Sequence, residues 1–142
     1  MVFPSVHKVF TEDETGILAA EFSKTIKPAE VIVLNGNLGS GKTFFIKKLL
    51  TSFSIDGVSS PTFALVNEYY GNLKFYHFDF YRIEHVGEIY DIGFDEYMKD
   101  DEAVKFIEWG ELFPDVLPKR RTEIQITMDD DFNREFSFYK YE

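Results

Sequence analysis

The chain contains no cysteine. That excludes a disulfide framework, a thiolate metal site and a thiol nucleophile, and leaves any chemistry to carboxylates, hydroxyls, amines and imidazoles. Long apolar runs are missing too. None approaches the ~20 residues a membrane span needs, and the opening "MVFPSVHK" has no apolar signal core, so a cytoplasmic protein with no membrane segment is expected. Positive charge is scarce: 15 Lys and Arg stand against 25 Asp and Glu, for a formal net charge of -10. Such a balance repels a phosphate backbone and disfavours direct RNA or DNA binding. The one local exception, "KRR" at Lys119 to Arg121, reads as a solvated turn that could aid a contact made through a partner. No repeat or low-complexity linker divides the chain, so residues 1–142 are read as one domain.

What the chain has in abundance is aromatic residues, 16 Phe and 8 Tyr, enough for a large core. "VHKVF" reads as a strand and leads into a helix that Thr11 caps, with Glu14 three residues on. Leu18, Phe22 and Ile26 give that helix one apolar side, and Pro28 ends it. Val31 to Leu34, all apolar, suit a central strand buried on both faces. Phe45, Ile46, Leu49, Leu50 and Phe53 mark the buried side of a second helix. "TFALVNEYY" and "LKFYHFDFYR" read as antiparallel strands joined by a two-residue "GN" turn. "EHVGEIYDIG" reads as a short helix stopped near Gly93, "DEYMKD" as another turn or two, and "AVKFIEW" as a strand before an acidic loop. "EIQITM" and "REFSFYKY" alternate as the two arms of a final hairpin.

Between the central strand and the second helix stands "GNLGSGKT", Gly36 to Thr43. It fits G-x-x-x-x-G-K-[ST], the phosphate-binding loop, in the strand-loop-helix setting that motif requires. Its glycines permit backbone conformations closed to other residues, so that successive N–H groups can close around a phosphate at a helix N-terminus. On this reading Gly36, Asn37, Leu38, Gly39, Ser40 and Gly41 form the cradle, Lys42 reaches the β- and γ-phosphates, and Thr43 binds Mg²⁺. The expected ligand is a nucleoside triphosphate.

Such a site also needs a carboxylate near the metal. Phe75, His77, Asp79 and Tyr81 share a face in strand geometry, so Asp79 is either an acid paired with a cation or part of a solvent-facing edge strand. Glu108, directly after an apolar strand, either holds metal-bound water, polarises the attacking water, or serves as a cap or surface group; Trp109 beside it suits packing. "SSPTF" adds Ser60 and Thr62, the latter a candidate to sense the γ-phosphate. His77 reads as a core histidine bonded to backbone.

"GNLGSGKT", "SSPTFALVNEY", "YHFDFYRI", "IGFDEY", "IEWGE" and "LP" occur in an order and spacing that closely resemble the TsaE family, also called YjeE, over nearly the whole chain. The resemblance implies a small P-loop ATPase that binds ATP and Mg²⁺ and hydrolyses ATP slowly when alone. It implies an accessory role in making N6-threonylcarbamoyladenosine at position 37 of ANN-decoding tRNAs. The partners would be TsaD and TsaB, with tRNA reached only through them. It assigns catalytic or metal-binding roles to Lys42, Thr43, Thr62, Asp79 and Glu108, a functional role to Trp109, and a place near the nucleotide to Glu12 and Thr15. Asn37 departs from the family's usual Asp, which removes a negative charge near the triphosphate and leaves the backbone cradle intact. The fold expected is a P-loop NTPase-like single α/β domain, with a mixed parallel and antiparallel sheet flanked by helices. Two rival functions are a small-molecule kinase and a nucleotide-gated adaptor without catalysis. The kinase usually needs an arginine-rich lid, and the chain has only Arg82, Arg120, Arg121 and Arg134, none in a lid-like helix.

Overall fold

In the computed structural model, which describes residues 1–61 and 65–142, seven strands form one mixed sheet with helices on its faces. In chain order the elements are β1 (Ser5–Val9), α1 (Glu12–Ser23), β2 (Val31–Asn35), α2 (Lys42–Thr51), β3 (Val66–Tyr70), β4 (Lys74–Asp79), α3 (Val86–Asp91), α4 (Phe94–Met98), β5 (Ala103–Glu108), β6 (Arg121–Met128) and β7 (Arg134–Tyr141). Two 3-10 turns, Gly110–Leu112 and Pro114–Val116, follow β5. The sheet order is β1-β7-β6-β2-β5-β4-β3. β6, β2, β5 and β4 run parallel to one another; β3 and β7 are antiparallel to their neighbours.

The alternation of side chains divides the core into two layers. Ile32 and Leu34 of β2, Val104 and Phe106 of β5, and Phe75 of β4 face α1 and α2, with Phe22, Phe45, Ile46, Leu49 and Leu50. Val31 and Val33, Ile107, and Tyr76 and Phe78 face the other way, against Phe80, Ile89 and Phe94. β2 is therefore apolar from Val31 to Leu34, where both faces are covered. The aromatic surplus is spent here. Phe75 stacks on Phe106 with centroids 5.6 Å apart, and Phe78 meets Phe94 edge-on at 5.1 Å. Each fully buried Phe contributes about 2 kcal/mol from the area removed from water.

Thr11 caps α1 as its sequence suggests. Glu14 N–H donates to Thr11 Oγ1 at 3.1 Å while the Glu14 carboxylate accepts from the Thr11 N–H at 3.2 Å. The helix ends at Ser23, earlier than Pro28, because the carbonyls of Phe22 and Ser23 are already taken by the N–H groups of Thr25 and Ile26 in tighter three-residue turns. Ile26 still packs on the core, from outside the helix, and Phe53 does the same beyond α2. The turn between β3 and β4 is Gly71, Asn72 and Leu73, one residue longer than expected: the register pairs Tyr70 with Lys74, and Gly71 N–H donates to the Leu73 carbonyl at 3.1 Å.

This topology fixes where a ligand can sit. From β2 the chain crosses to the β3–β4 side, returns to β5 next to β2, then passes to β6 on β2's other side. The carboxyl ends of β2 and β5 thus lie at a point where the strand order reverses, the usual place for a crevice in a sheet of this kind.

Candidate active site

The loop after β2 and the carboxyl ends of β5 and β4 build one cleft of about 240 Å³, lined by Leu38 to Phe44, Ser60, Asp79, Tyr81, Glu108 and Trp109. Register places its acids. Leu34 pairs with Glu108 across β2 and β5, and Glu108 pairs with Asp79 across β5 and β4. Glu108 follows Phe106, and Asp79 follows Phe75 and His77, on the face that carries α2. Both carboxylates therefore stand beside the first turn of that helix.

Gly36 and Gly41 both require glycine. At Gly36 a Cβ would lie 2.6 Å from Ser40 Oγ and 2.7 Å from the Ile126 carbonyl oxygen, so the loop could not fold back on itself with a side chain there. Gly41 has φ +104 and opens α2 in a left-handed conformation. Ser40 N–H donates to the Asn37 carbonyl at 3.0 Å and Phe45 N–H to the Gly41 carbonyl at 2.9 Å. Among the described residues the N–H groups of Gly41, Lys42 and Thr43 find no acceptor, and the buried Ser40 Oγ has no partner either. Unpaired donors at a helix N-terminus are what an anion needs.

Lys42 is only 5% exposed. Its ammonium donates to the Gly36 carbonyl and lies 3.7 Å from the centroid of the Trp109 ring. Burial pulls its pKa below the ordinary lysine value, while Glu108, Glu111 and Asp79 oppose that shift. Trp109 itself has φ +62, uncommon for a bulky residue, and Tyr81 packs on its indole at 4.9 Å. Tyr81 thus joins the site from beyond the end of β4.

Thr43 Oγ1 lies 2.9 and 3.1 Å from the two Glu108 oxygens and 2.7 Å from Ser60 Oγ. On its far side Glu108 Oε2 meets His77 Nε2 at 2.5 Å, with His77 fully buried. His77 is a core histidine as expected, but its partner is this carboxylate and not backbone. Its Nδ1 has no partner among the described residues. Asp79 accepts from the Tyr81 N–H at 3.0 Å. Burial raises the pKa of Asp79, the Tyr81 amide opposes the shift, and the Glu108 charge adds to it.

Of the residues singled out in the sequence, Leu38 to Thr43, Ser60, Asp79, Glu108 and Trp109 line this cleft; Gly36 and Asn37 belong to the loop but not to the lining. Thr62 lies outside the described residues. Glu12 and Thr15 stand in the first turns of α1 and do not line the cleft; the Thr15 hydroxyl is turned to its own helix, donating to the Thr11 carbonyl at 3.3 Å. Sequence reasoning missed Tyr81, the partnership of His77 with Glu108, and Arg134, whose Nε donates to the Ser40 carbonyl at 2.7 Å.

The residues present fit a nucleoside triphosphate with Mg²⁺. The glycines leave a cradle that side chains would fill, the amides there are unpaired, and a hydroxyl and two carboxylates supply hard oxygen donors. No cluster of three or more metal-binding side chains occurs among the described residues.

A family model described as "Threonylcarbamoyl adenosine biosynthesis protein TsaE" matches residues 9–136. The chain is 39% identical over 128 residues to the tRNA threonylcarbamoyladenosine biosynthesis protein TsaE of Bacillus subtilis, across 89% of this chain and 79% of that protein. It is 35% identical over 132 residues to the protein of the same name from Rickettsia conorii, across 91% and 74%. Among solved structures, the crystal structure of Bacillus subtilis YdiB aligns with a TM-score of 0.80 at 31% identity, covering 100% of this chain and 88% of that one.

Proposed function

The chain belongs to the TsaE family, and we propose on that premise that it is an ATP-binding and ATP-hydrolysing subunit of tRNA threonylcarbamoyladenosine biosynthesis. It acts with TsaD and TsaB, meets tRNA only through them, and works in the cytoplasm. No helix among the described residues is long and apolar enough to cross a membrane. One observation carries the nucleotide reading: Thr43 at the start of α2 is hydrogen-bonded to Glu108 at the end of β5, beside the Gly41, Lys42 and Thr43 amides, which find no acceptor among the described residues.

The residues divide the work by their chemistry. The amides of Gly41, Lys42 and Thr43 bind the phosphates, and Lys42 exchanges the Gly36 carbonyl for phosphate oxygens, to which it brings a full positive charge. Mg²⁺, when bound, neutralises phosphate charge and orients the oxygens. Thr43 and Asp79 would be the protein-side donors that hold it. Glu108, held by Thr43 on one side and His77 on the other, keeps a carboxylate where it can hold or polarise a water. Trp109, with Tyr81 packed on its ring, covers the ammonium and limits its contact with solvent. Stabilisation of charge accumulating on the phosphoryl oxygens then accounts for catalysis. Thr62 is a candidate to approach the γ-phosphate, and Glu12 and Thr15 to flank the nucleoside.

Reconstitution tests this reading. With TsaD, TsaB, an ANN-decoding tRNA and the remaining pathway components, threonylcarbamoyladenosine should form in repeated turnovers only when this chain and ATP are present, with ADP and free phosphate as products. Equal yield without the chain would refute the assignment. Phosphate transferred to a small acceptor would make it a kinase.

A further inference from the structure

The peptide between Ser40 and Gly41 is held from outside the loop. Arg134, the first residue of β7, donates from Nε to the Ser40 carbonyl oxygen at 2.7 Å. Its backbone is fixed on both sides, paired with Met128 of β6 and Val9 of β1, and it is not among the residues lining the cleft.

In a trans peptide the carbonyl and the following N–H point in opposite directions. An anchor that draws the Ser40 carbonyl toward β7 therefore turns the Gly41 N–H away from β7, to the cleft side. That N–H has no acceptor among the described residues. A cationic donor on the carbonyl also polarises the peptide, which leaves more positive charge on the N–H. The glycine fits the same arrangement. A Cβ on Gly41 would lie 3.2 Å from Arg134 Nε and 3.6 Å from its Cδ, so the missing side chain makes room for the arginine as well as permitting φ +104.

We propose that Arg134 is a positioning residue of the nucleotide site, which aims the Gly41 amide at the phosphate it binds. The proposal rests on reading the loop as a phosphate cradle. Arg134 acts through the loop backbone, and among the described residues no hydrogen bond or ion pair joins it to Thr43, Asp79 or Glu108.

The test compares ¹⁵N-labelled full-length protein with its Arg134→Met and Arg134→Lys variants, titrated with ADP and Mg²⁺. In the parent the Gly41 amide proton should move downfield on binding. In Arg134→Met the dissociation constant should rise about tenfold or more, as loss of a charged hydrogen bond implies, and the Gly41 response should vanish at saturation while the rest of the spectrum stays folded. Arg134→Lys, which keeps the charge and one donor, should recover part of both; should Arg134→Met fail to fold, it carries the same comparison with the parent. Parental affinity with an intact Gly41 response in Arg134→Met overturns the proposal, as does an affinity loss in Arg134→Lys that only tracks loss of folded protein. Absence of ADP binding by the parent would overturn the cradle reading itself, and this proposal with it.

Discussion

Thr43 Oγ1 and Glu108 Oε2, 65 residues apart in the chain, lie 2.9 Å from each other. That contact joins the first turn of α2 to the end of β5, and it is the hinge of the functional reading. A hydroxyl and a carboxylate in contact, beside amides that find no acceptor among the described residues, are what the proposed metal-bound phosphate would need.

Lys42→Ala should abolish ATP hydrolysis, lowering turnover about a hundredfold or more, because Lys42 is the one cationic side chain lining the cleft among the described residues. Phosphate release from purified protein measures this. Trp109, the one tryptophan of the chain, supplies a second readout. Its ring faces the Lys42 ammonium at 3.7 Å, so nucleotide should change its fluorescence in the parent and not in the variant. Parental turnover in Lys42→Ala would remove the loop from the mechanism.

Asp79→Ala should weaken Mg²⁺-dependent hydrolysis far more than nucleotide affinity measured without Mg²⁺. A Mg²⁺ titration of activity checks it. Superimposable Mg²⁺ curves for variant and parent would show that this carboxylate is not at the metal.

Gly36→Ala should reduce nucleotide affinity by about tenfold and destabilise the fold by about 1–3 kcal/mol, the usual range for forced overpacking. The new Cβ would meet the Ile126 carbonyl oxygen, a backbone atom of β6 that cannot swing aside. Calorimetric titration and thermal melts of the same preparation separate the two effects.

Asp100 links stability to pH. Hydrogen bonds from Lys74 and then Tyr76, at 2.6 and 2.5 Å, hold its pKa down to about 2, below the ordinary 3.8. A depressed folded-state pKa gives stability that is present above the ordinary value and lost as pH falls toward about 2. The parent should therefore melt above Asp100→Asn at pH 7, and the gap should close between about pH 4 and 2. A gap independent of pH would show that the charge on Asp100 contributes nothing.

Much of this was legible in the sequence, for local reasons. The Thr11 and Glu14 pair, the unbroken apolar run of β2 and the glycine spacing each carry their own signal within a few residues. The partnerships across strands were not legible. His77 finds Glu108 only because β4 and β5 lie parallel in a register that pairs Asp79 with Glu108, and nothing within either strand encodes that offset. Arg134 was one of four scattered arginines until β7 placed it against Ser40. The end of α1 was misplaced because Ile26 continues a helical spacing while packing from a tighter turn, where backbone bonds and not periodicity decide the path.

The most direct measurement of the central claim is a crystal structure of the protein with a non-hydrolysable ATP analogue and Mg²⁺. The account predicts phosphate oxygens within hydrogen-bond reach of the Gly41, Lys42 and Thr43 amides, Lys42 drawn off the Gly36 carbonyl, and the metal beside Thr43. Nucleotide bound elsewhere, with Lys42 still on Gly36 and the loop amides unengaged at saturating ligand, would contradict it.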